Sequence, residues 1–238
     1  KLSEILIYFI IIFSPWAFGS TESWSIWIIN ASTFGLGILL ISKWIIRKIK
    51  RYKTNLKQNH LRLTEKICVF MMAGSMMLLL AYIITSAINA RGSFNLISKE
   101  YSYISDFNSD LPHSYDANAT WYLFWQYLGL VFLFWATRDW LEGSFSNKKS
   151  KLNNYRLKKL LFLMCINGGI LAAECILQRI FYDDNNGKLL FLIEPAINDE
   201  NLGQFGPFAY RSNAGSYFNL IWPISLGLYI QLSRTTID

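Results

Sequence analysis

The chain has 238 residues, of which 53% are hydrophobic, 16% are aromatic and only 16% are charged. This composition is too apolar and too poor in charge for an ordinary soluble domain, and it indicates an integral membrane protein. The formal net charge of +7 does not indicate nucleic-acid binding, because the basic residues are concentrated in two blocks between apolar runs, as in cytoplasmic loops.

Six apolar stretches are long enough to cross about 30 Å of hydrocarbon, which takes about 20 helical residues. In chain order they cover residues 2–18, 24–46, 67–89, 121–140, 160–180 and 214–232. The first stretch is not a signal peptide, because its end, FSPWAFGS, has no small-x-small cleavage site and another apolar run follows at once. The sequence therefore predicts an all-α polytopic membrane protein, in which residues 1–238 form one transmembrane helical domain.

The charges of the connectors predict the orientation of these stretches. Residues 42–66 contain nine lysines or arginines and a single acid, and residues 138–159 contain seven basic residues and two acids. Under the positive-inside rule, the connectors 47–66 and 141–159 are cytoplasmic. The connectors 90–120 and 181–213 have more acids than bases, and they face outward. The N-terminus is therefore expected on the inside.

Arg211 stands at the predicted outer end of the sixth stretch, beside Asn213 and after Gly203, Gly206 and Pro207. The glycine and the proline predict a bent, non-helical segment whose backbone approaches another group closely. A guanidinium matches the paired oxygens of a phosphate or pyrophosphate. The alternative is an arginine that snorkels and binds lipid phosphates or helix carbonyls.

Glu174 lies within the fifth stretch, four residues before Gln178 and five before Arg179. Glu174 and Gln178 therefore share one face of a helix. An acid within a membrane is costly and indicates a candidate functional site, with Arg179 or Arg211 as its expected partner. The alternative is a structural role, as an interhelical ion pair or as a protonated carboxyl that forms a hydrogen bond.

Neither a metal nor an organic cofactor is expected. The two histidines, His60 and His113, lie in different connectors, and the three cysteines, Cys68, Cys165 and Cys175, lie in apolar runs without CxxC or Cys/His spacing. This pattern indicates neither a zinc site nor a disulfide framework. The chain also has no phosphate-binding glycine loop and no dinucleotide fingerprint.

Four segments follow one another in an order that is typical of a known family. They read FSPWAFGSTESWS from residue 13, HSYDANATWYLFWQYLGLVFLFWA from residue 113, LAAECILQRI from residue 171 and GPFAYRSNAGSYFNLIWPISLG from residue 206. The last resembles the G-x-F-x-N-R-N-x-x-A-G-Y-x-x-x-x-x-P-L-x-L-G segment of the O-antigen ligase and O-antigen polymerase family. The others are similar to that family's first hairpin, its Ser-x-Asp-x-x-x-Thr segment and its Leu-Gln stretch.

The chain departs from this family in two respects. Residues 210, 212, 213 and 216 differ from the motif around Arg211. The family's later spans, and the outer loop that contributes a catalytic histidine, have no counterpart before Asp238. Either the chain is incomplete or this protein is not an active member of the family. Because the chain also begins with Lys1 rather than methionine, we expect a fragment that corresponds to the N-terminal part of the family.

The resemblance implies a reaction on the periplasmic face of the bacterial inner membrane. A glycan would pass from a polyprenyl-pyrophosphate carrier to a hydroxyl of a glycan, lipid or protein acceptor, without a nucleotide sugar or a metal. Arg211 would stabilise the departing pyrophosphate. Asn213 and Gln178 would orient phosphate or sugar oxygens, and Glu174 would position Arg179 or Arg211. The general base would come from residues outside this chain.

Two other classes of function stay open. A non-catalytic subunit would use the same six helices as a scaffold for other membrane proteins in a larger assembly. A transporter would have broken helices with polar residues near mid-membrane. Asn167, followed by Gly168 and Gly169 within the fifth stretch, is the feature that fits a transporter.

Overall fold

The computed structural model describes residues 1–49, 63–95, 97–142, 149–181, 205–208 and 210–237. Six α-helices, one 3₁₀ helix at Phe18–Ser20 and one hairpin of two antiparallel strands occur among these residues. The helices are α1 Leu2–Trp16, α2 Ser23–Ile49, α3 Leu63–Ile88, α4 Ala117–Glu142, α5 Lys149–Ile180 and α6 Arg211–Ile237, and the strands are β1 Gly92–Asn95 and β2 Glu100–Tyr103. The predicted helical character is confirmed, and the hairpin is an addition to it.

Three helical segments are long and apolar enough to cross a membrane, namely Ser23–Ile49, Lys66–Ile88 and Tyr155–Ile180. Helix α1 is apolar but shorter. Large apolar side chains on these helices are exposed, and Trp27 at 75% and Phe70 at 79% are two examples. Surfaces of this kind are stable against lipid or another apolar surface, as in a membrane protein. For α1, α4 and α6, a membrane crossing stays a prediction.

The chain divides into two compact units. The first unit comprises residues 1–32 and 136–238, and the second comprises residues 33–135. The first therefore contains α1, α5 and α6 with the beginning of α2 and the end of α4. Its core consists of Leu171, Cys175, Phe208 and Ala214, packed against Trp16, Phe205, Tyr217 and Phe218. This core lies directly beside the predicted site residues on α5 and α6.

A polar cluster joins the start of α1 to α5 within the first unit. The ammonium of Lys159 lies 3.1 Å from Oε1 of Glu4, and the Tyr8 hydroxyl donates to the same oxygen at 3.1 Å. Tyr8 also contacts the Trp140 ring edge to face, with the ring centroids 5.7 Å apart. The charge pattern predicts that this cluster lies at the cytoplasmic end of the helices.

The hairpin of the second unit is fastened to the start of α4 by the segment that resembles Ser-x-Asp-x-x-x-Thr. Oδ1 of Asp116 accepts hydrogen bonds from the backbone N–H groups of Phe94 at 3.1 Å and Asn118 at 3.0 Å. The Asn118 amide donates to the Phe94 carbonyl at 3.0 Å, and the Thr120 hydroxyl donates to the Asp116 carbonyl at 2.6 Å. This segment therefore caps α4 and holds the hairpin in place.

Candidate functional site

A tight turn precedes α6 and leads the chain towards Arg211. The N–H of Phe205 donates to the carbonyl of Phe208 at 3.0 Å, and the N–H of Phe208 donates to the carbonyl of Phe205 at 3.1 Å. Gly206 has a φ of +59°, a left-handed conformation that glycine adopts without a steric penalty. The bend that the sequence predicts at Gly206 and Pro207 is therefore confirmed.

The turn packs directly on α5, where Gly206 lies against the side chains of Glu174 and Cys175. A Cβ atom at residue 206 would overlap the sulfur of Cys175 and lie 2.7 Å from Oε2 of Glu174. Glycine is therefore required both by the backbone conformation and by the space. This contact brings the segment that begins at Gly206 against the Leu-Gln segment of α5, although about thirty residues of sequence separate them.

The same turn also contacts the connection between α1 and α2. Phe208 is only 3% exposed, and a Cβ atom at Gly19 would lie 2.7 Å from Cδ1 of its ring. Phe18, Gly19 and Ser20 have φ angles of 54°, 62° and 61°, so two residues with side chains adopt the left-handed region at a cost. The Ser20 hydroxyl donates to the Ser14 carbonyl at 2.8 Å, which helps to hold this strained turn.

Asn167 on α5 forms hydrogen bonds with residues of α1 and α6. It is 6% exposed, and its Oδ1 accepts a hydrogen bond from the Trp16 indole at 2.8 Å. Its amide nitrogen donates to the Ile11 carbonyl at 3.4 Å and approaches the Tyr217 hydroxyl at 3.5 Å. Helix α5 continues without interruption through Gly168, so Asn167 has an interhelical role rather than marking a break of the kind expected in a transporter.

Arg211 is the first residue of α6, and its side chain is exposed. The backbone N–H groups of Asn213 and Ala214 donate to the Tyr210 carbonyl at 3.1 and 3.4 Å, so Tyr210 begins the helix. Within the described residues, the Arg211 guanidinium has no hydrogen bond or ion pair. The guanidinium and the positive end of the helix dipole are therefore available together to an anionic group.

Glu174, Gln178 and Arg179 lie on the last turns of α5. Both carboxylate oxygens of Glu174 are buried, and neither accepts a hydrogen bond from the part of the chain that the structure describes. No described arginine therefore holds this carboxylate, although an ion pair with Arg179 or Arg211 is expected from the sequence. Gln178 is buried, whereas Arg179 and Asn213 are exposed. The structure thus brings Glu174 against the turn at Gly206 and leaves both arginines on the surface.

No match was found when the chain was compared with protein-family models, with curated proteins and with solved structures. Across the described ranges, no three His, Cys, Asp or Glu side chains come together in a way that could hold a metal ion. His60, Gly203 and the acidic residues of the connector 181–213 lie outside the described residues.

Several residues of the site give little signal in the sequence. Trp16, Asn167 and Tyr217 form a hydrogen-bonded group although they come from three helices far apart in the chain. The role of Asn167 has only one local sign in the sequence, which is its position as a polar residue in an apolar stretch before two glycines. The packing of Phe208 on Gly19 has a weaker sign, namely a glycine in the turn that separates two apolar stretches.

Proposed function

We propose that this chain is part of a membrane glycosyltransferase that transfers a glycan from a polyprenyl-pyrophosphate carrier to an acceptor hydroxyl. The reaction would take place at the outer face of a bacterial inner membrane, with the chain crossing six times from an inside N-terminus. One observation carries the proposal. Three of the four segments that resemble the family meet in one buried cluster, namely residues 13–25, 171–180 and 206–227. Arg211 is exposed at the edge of this cluster.

The reaction places a specific electrostatic demand on the protein. The acceptor oxygen forms a bond to the anomeric carbon, and the bond from that carbon to the phosphate oxygen breaks. Its electron pair leaves with the pyrophosphate, while the hydroxyl proton passes to a general base. Negative charge therefore grows on the leaving group in the transition state, and a fixed cation next to it lowers the barrier.

Arg211 fits this demand better than a lysine would. A guanidinium donates two parallel hydrogen bonds to a pyrophosphate, and the N-terminus of α6 adds a partial positive charge. The packing of Phe208 and Gly206 fixes the turn that leads to α6, and the exposed Arg211 side chain would be ordered by its paired contact with the pyrophosphate.

The other predicted residues have supporting roles in the proposal. Asn213 lies less than one helical turn after Arg211 and would bind phosphate or sugar oxygens. Gln178 and Arg179 lie on the same end of α5 as Glu174, and they would orient the carrier. Glu174 contacts the turn at Gly206, so it would act on Arg211 through the backbone of that turn rather than by an ion pair.

The test is glycan transfer in cells that carry the full-length gene. Arg211→Ala and Arg211→Lys are compared with wild type at matched membrane levels, and Arg47→Ala in the last turn of α2 is the control. We expect transfer to be lost in both Arg211 variants, because lysine keeps the charge but cannot form the paired contact. Normal transfer by both variants would show that Arg211 is a lipid anchor, and the proposed mechanism would be wrong.

A further inference from the structure

Three tyrosines form one group in the second unit, two on strand β2 and one in the segment before α4. Tyr101 and Tyr103 are two residues apart on β2 and therefore lie on the same face of the strand. The Tyr115 ring stacks on Tyr101 with the centroids 5.1 Å apart, and the Tyr103 ring meets Tyr101 edge to face at 4.7 Å. Tyr103 is 78% exposed and Tyr115 is 65% exposed. We call these three residues the tyrosine platform.

The central ring of the platform and the backbone beside it are held by hydrogen bonds, and the two outer rings pack on that central ring. The Tyr101 hydroxyl donates to the carbonyl of Tyr115, and partial desolvation raises the pKa of Tyr101, which keeps this donor protonated. The N–H of Arg91 donates to the Ser114 carbonyl at 2.9 Å, so the loop before Tyr115 is tied to the hairpin. Rings that are already ordered lose little conformational entropy when a ligand binds.

The charges around the platform restrict the class of ligand. Residues 90–120 contain four acids, namely Glu100, Asp106, Asp110 and Asp116, against two bases. Of the two bases, Arg91 is engaged by His113 at 2.6 Å and by the Phe107 ring at 5.0 Å. A phosphate or an anionic lipid headgroup is therefore disfavoured at this surface. A neutral ligand with apolar faces and hydroxyl groups fits it.

We infer that the tyrosine platform binds sugar rings of the glycan, with Tyr103 and Tyr115 stacked on the C–H faces of pyranose units. The C–H bonds on one face of a pyranose carry partial positive charge, and an aromatic ring attracts them through the negative potential of its face. The phenol hydroxyls can exchange hydrogen bonds with the rim of sugar hydroxyls. The choice of a glycan rests on the proposed function, but the residues involved are distinct from Arg211.

The test is saturation-transfer NMR on the full chain in micelles of a detergent without a sugar headgroup. The probes are cellobiose, maltose and N,N′-diacetylchitobiose, which differ in linkage and N-acetylation but each present apolar pyranose faces. We expect saturation to reach mainly the C–H protons of one face, with weak affinity in the millimolar range. The Tyr103→Ala/Tyr115→Ala double variant should weaken binding roughly tenfold.

Matched variants separate stacking from folding and from catalysis. Tyr103→Phe should keep binding within about twofold, whereas Tyr103→Leu, which keeps apolar bulk, should lose the stacking contribution. Tyr229→Ala on α6, another exposed tyrosine, should bind as wild type does. The inference is overturned if no probe receives saturation from the wild-type chain, or if the double alanine variant binds equally well. Sugar binding by an Arg211→Ala protein that still transfers glycan would contradict the proposed mechanism and leave the platform standing.

Discussion

Replacement of Gly206 by alanine adds a single methyl group, but it is expected to lower the free energy of unfolding by several kcal/mol. Residue 206 has a φ of +59°, and an L-residue in this region costs about 1–2 kcal/mol. The added Cβ would also overlap the Cys175 sulfur and lie 2.7 Å from Oε2 of Glu174, and overpacking of this kind costs about 1–3 kcal/mol. The free energy of unfolding should therefore fall by about 2–5 kcal/mol.

The magnitude can be measured by equilibrium unfolding in mixed micelles, with the dodecyl sulfate fraction increased and helix content followed by circular dichroism. Gly215→Ala is the matched control, because nothing lies within 4 Å of a Cβ at that residue of α6. Alanine is favoured over glycine in a helix by up to about 1 kcal/mol, so the control should be neutral or stabilising.

A double variant isolates the part of the predicted loss that comes from the Cys175 sulfur. Cys175→Ala removes the sulfur that the new methyl group would overlap. In that background, Gly206→Ala should cost less than in the wild-type chain, because the overlap with the sulfur is gone, but the backbone cost of about 1–2 kcal/mol and the contact with Oε2 of Glu174 at 2.7 Å remain. The account of this turn would be refuted if Gly206→Ala left stability within about 0.5 kcal/mol of wild type. Equal losses in the two backgrounds would show that the Cys175 contact contributes nothing.

Three further predictions concern the elements around the site. Trp16→Phe should lower the free energy of unfolding by about 1–3 kcal/mol, because Oδ1 of Asn167 loses its indole donor; an unchanged value in mixed micelles would contradict the role of this bond. Asp116→Ala removes the acceptor for two backbone N–H groups at the start of α4 and should cost about 1–2 kcal/mol, with faster hydrogen exchange in the hairpin; protection equal to wild type would count against this cap. In a cysteine-free background, single cysteines in the turn between β1 and β2 should react with an impermeant maleimide added outside the cell. Single cysteines in the last turn of α2 should react only after the membrane is permeabilised. The reverse pattern would show that the predicted orientation is wrong.

The helices could largely be predicted from the sequence, because apolar stretches of this length have few alternatives in a membrane. The apolar stretch 160–180 corresponds to α5, but the helix begins earlier, at Lys149. Hydropathy detects the part of a helix that lies in hydrocarbon, whereas the helix itself continues into its polar ends.

The hairpin could not be predicted in the same way. Its strands, GSFN and EYSY, are only four residues each, and the alternation of Tyr101 and Tyr103 with polar residues in β2 is too short to predict a strand. They are held by contacts from residues more than twenty positions away, namely Asp116 and Asn118 on the backbone of Phe94. Long-range contacts of this type leave no local pattern in the sequence.

The candidate site was partly predictable. The positions of Gly206 and Pro207 before Arg211 predict a bend and a close approach, and both are present. An ion pair for Glu174 was expected because a buried carboxylate normally needs a partner, and its oxygens accept no hydrogen bond from the described residues. Whether two side chains on different helices meet depends on helix rotation and on the connecting turns, which the sequence pattern does not specify.

The role of Arg211 is tested most directly by kinetics of the purified full-length protein in liposomes with a polyprenyl-pyrophosphate-linked glycan. The kcat of Arg211→Ala and Arg211→Lys should fall about 100-fold to 1000-fold, as when one preorganised donor to a developing anion is removed. The KM for the donor should change much less, because the contact strengthens mainly in the transition state. A lysine variant with wild-type kcat would contradict paired recognition of the pyrophosphate by Arg211.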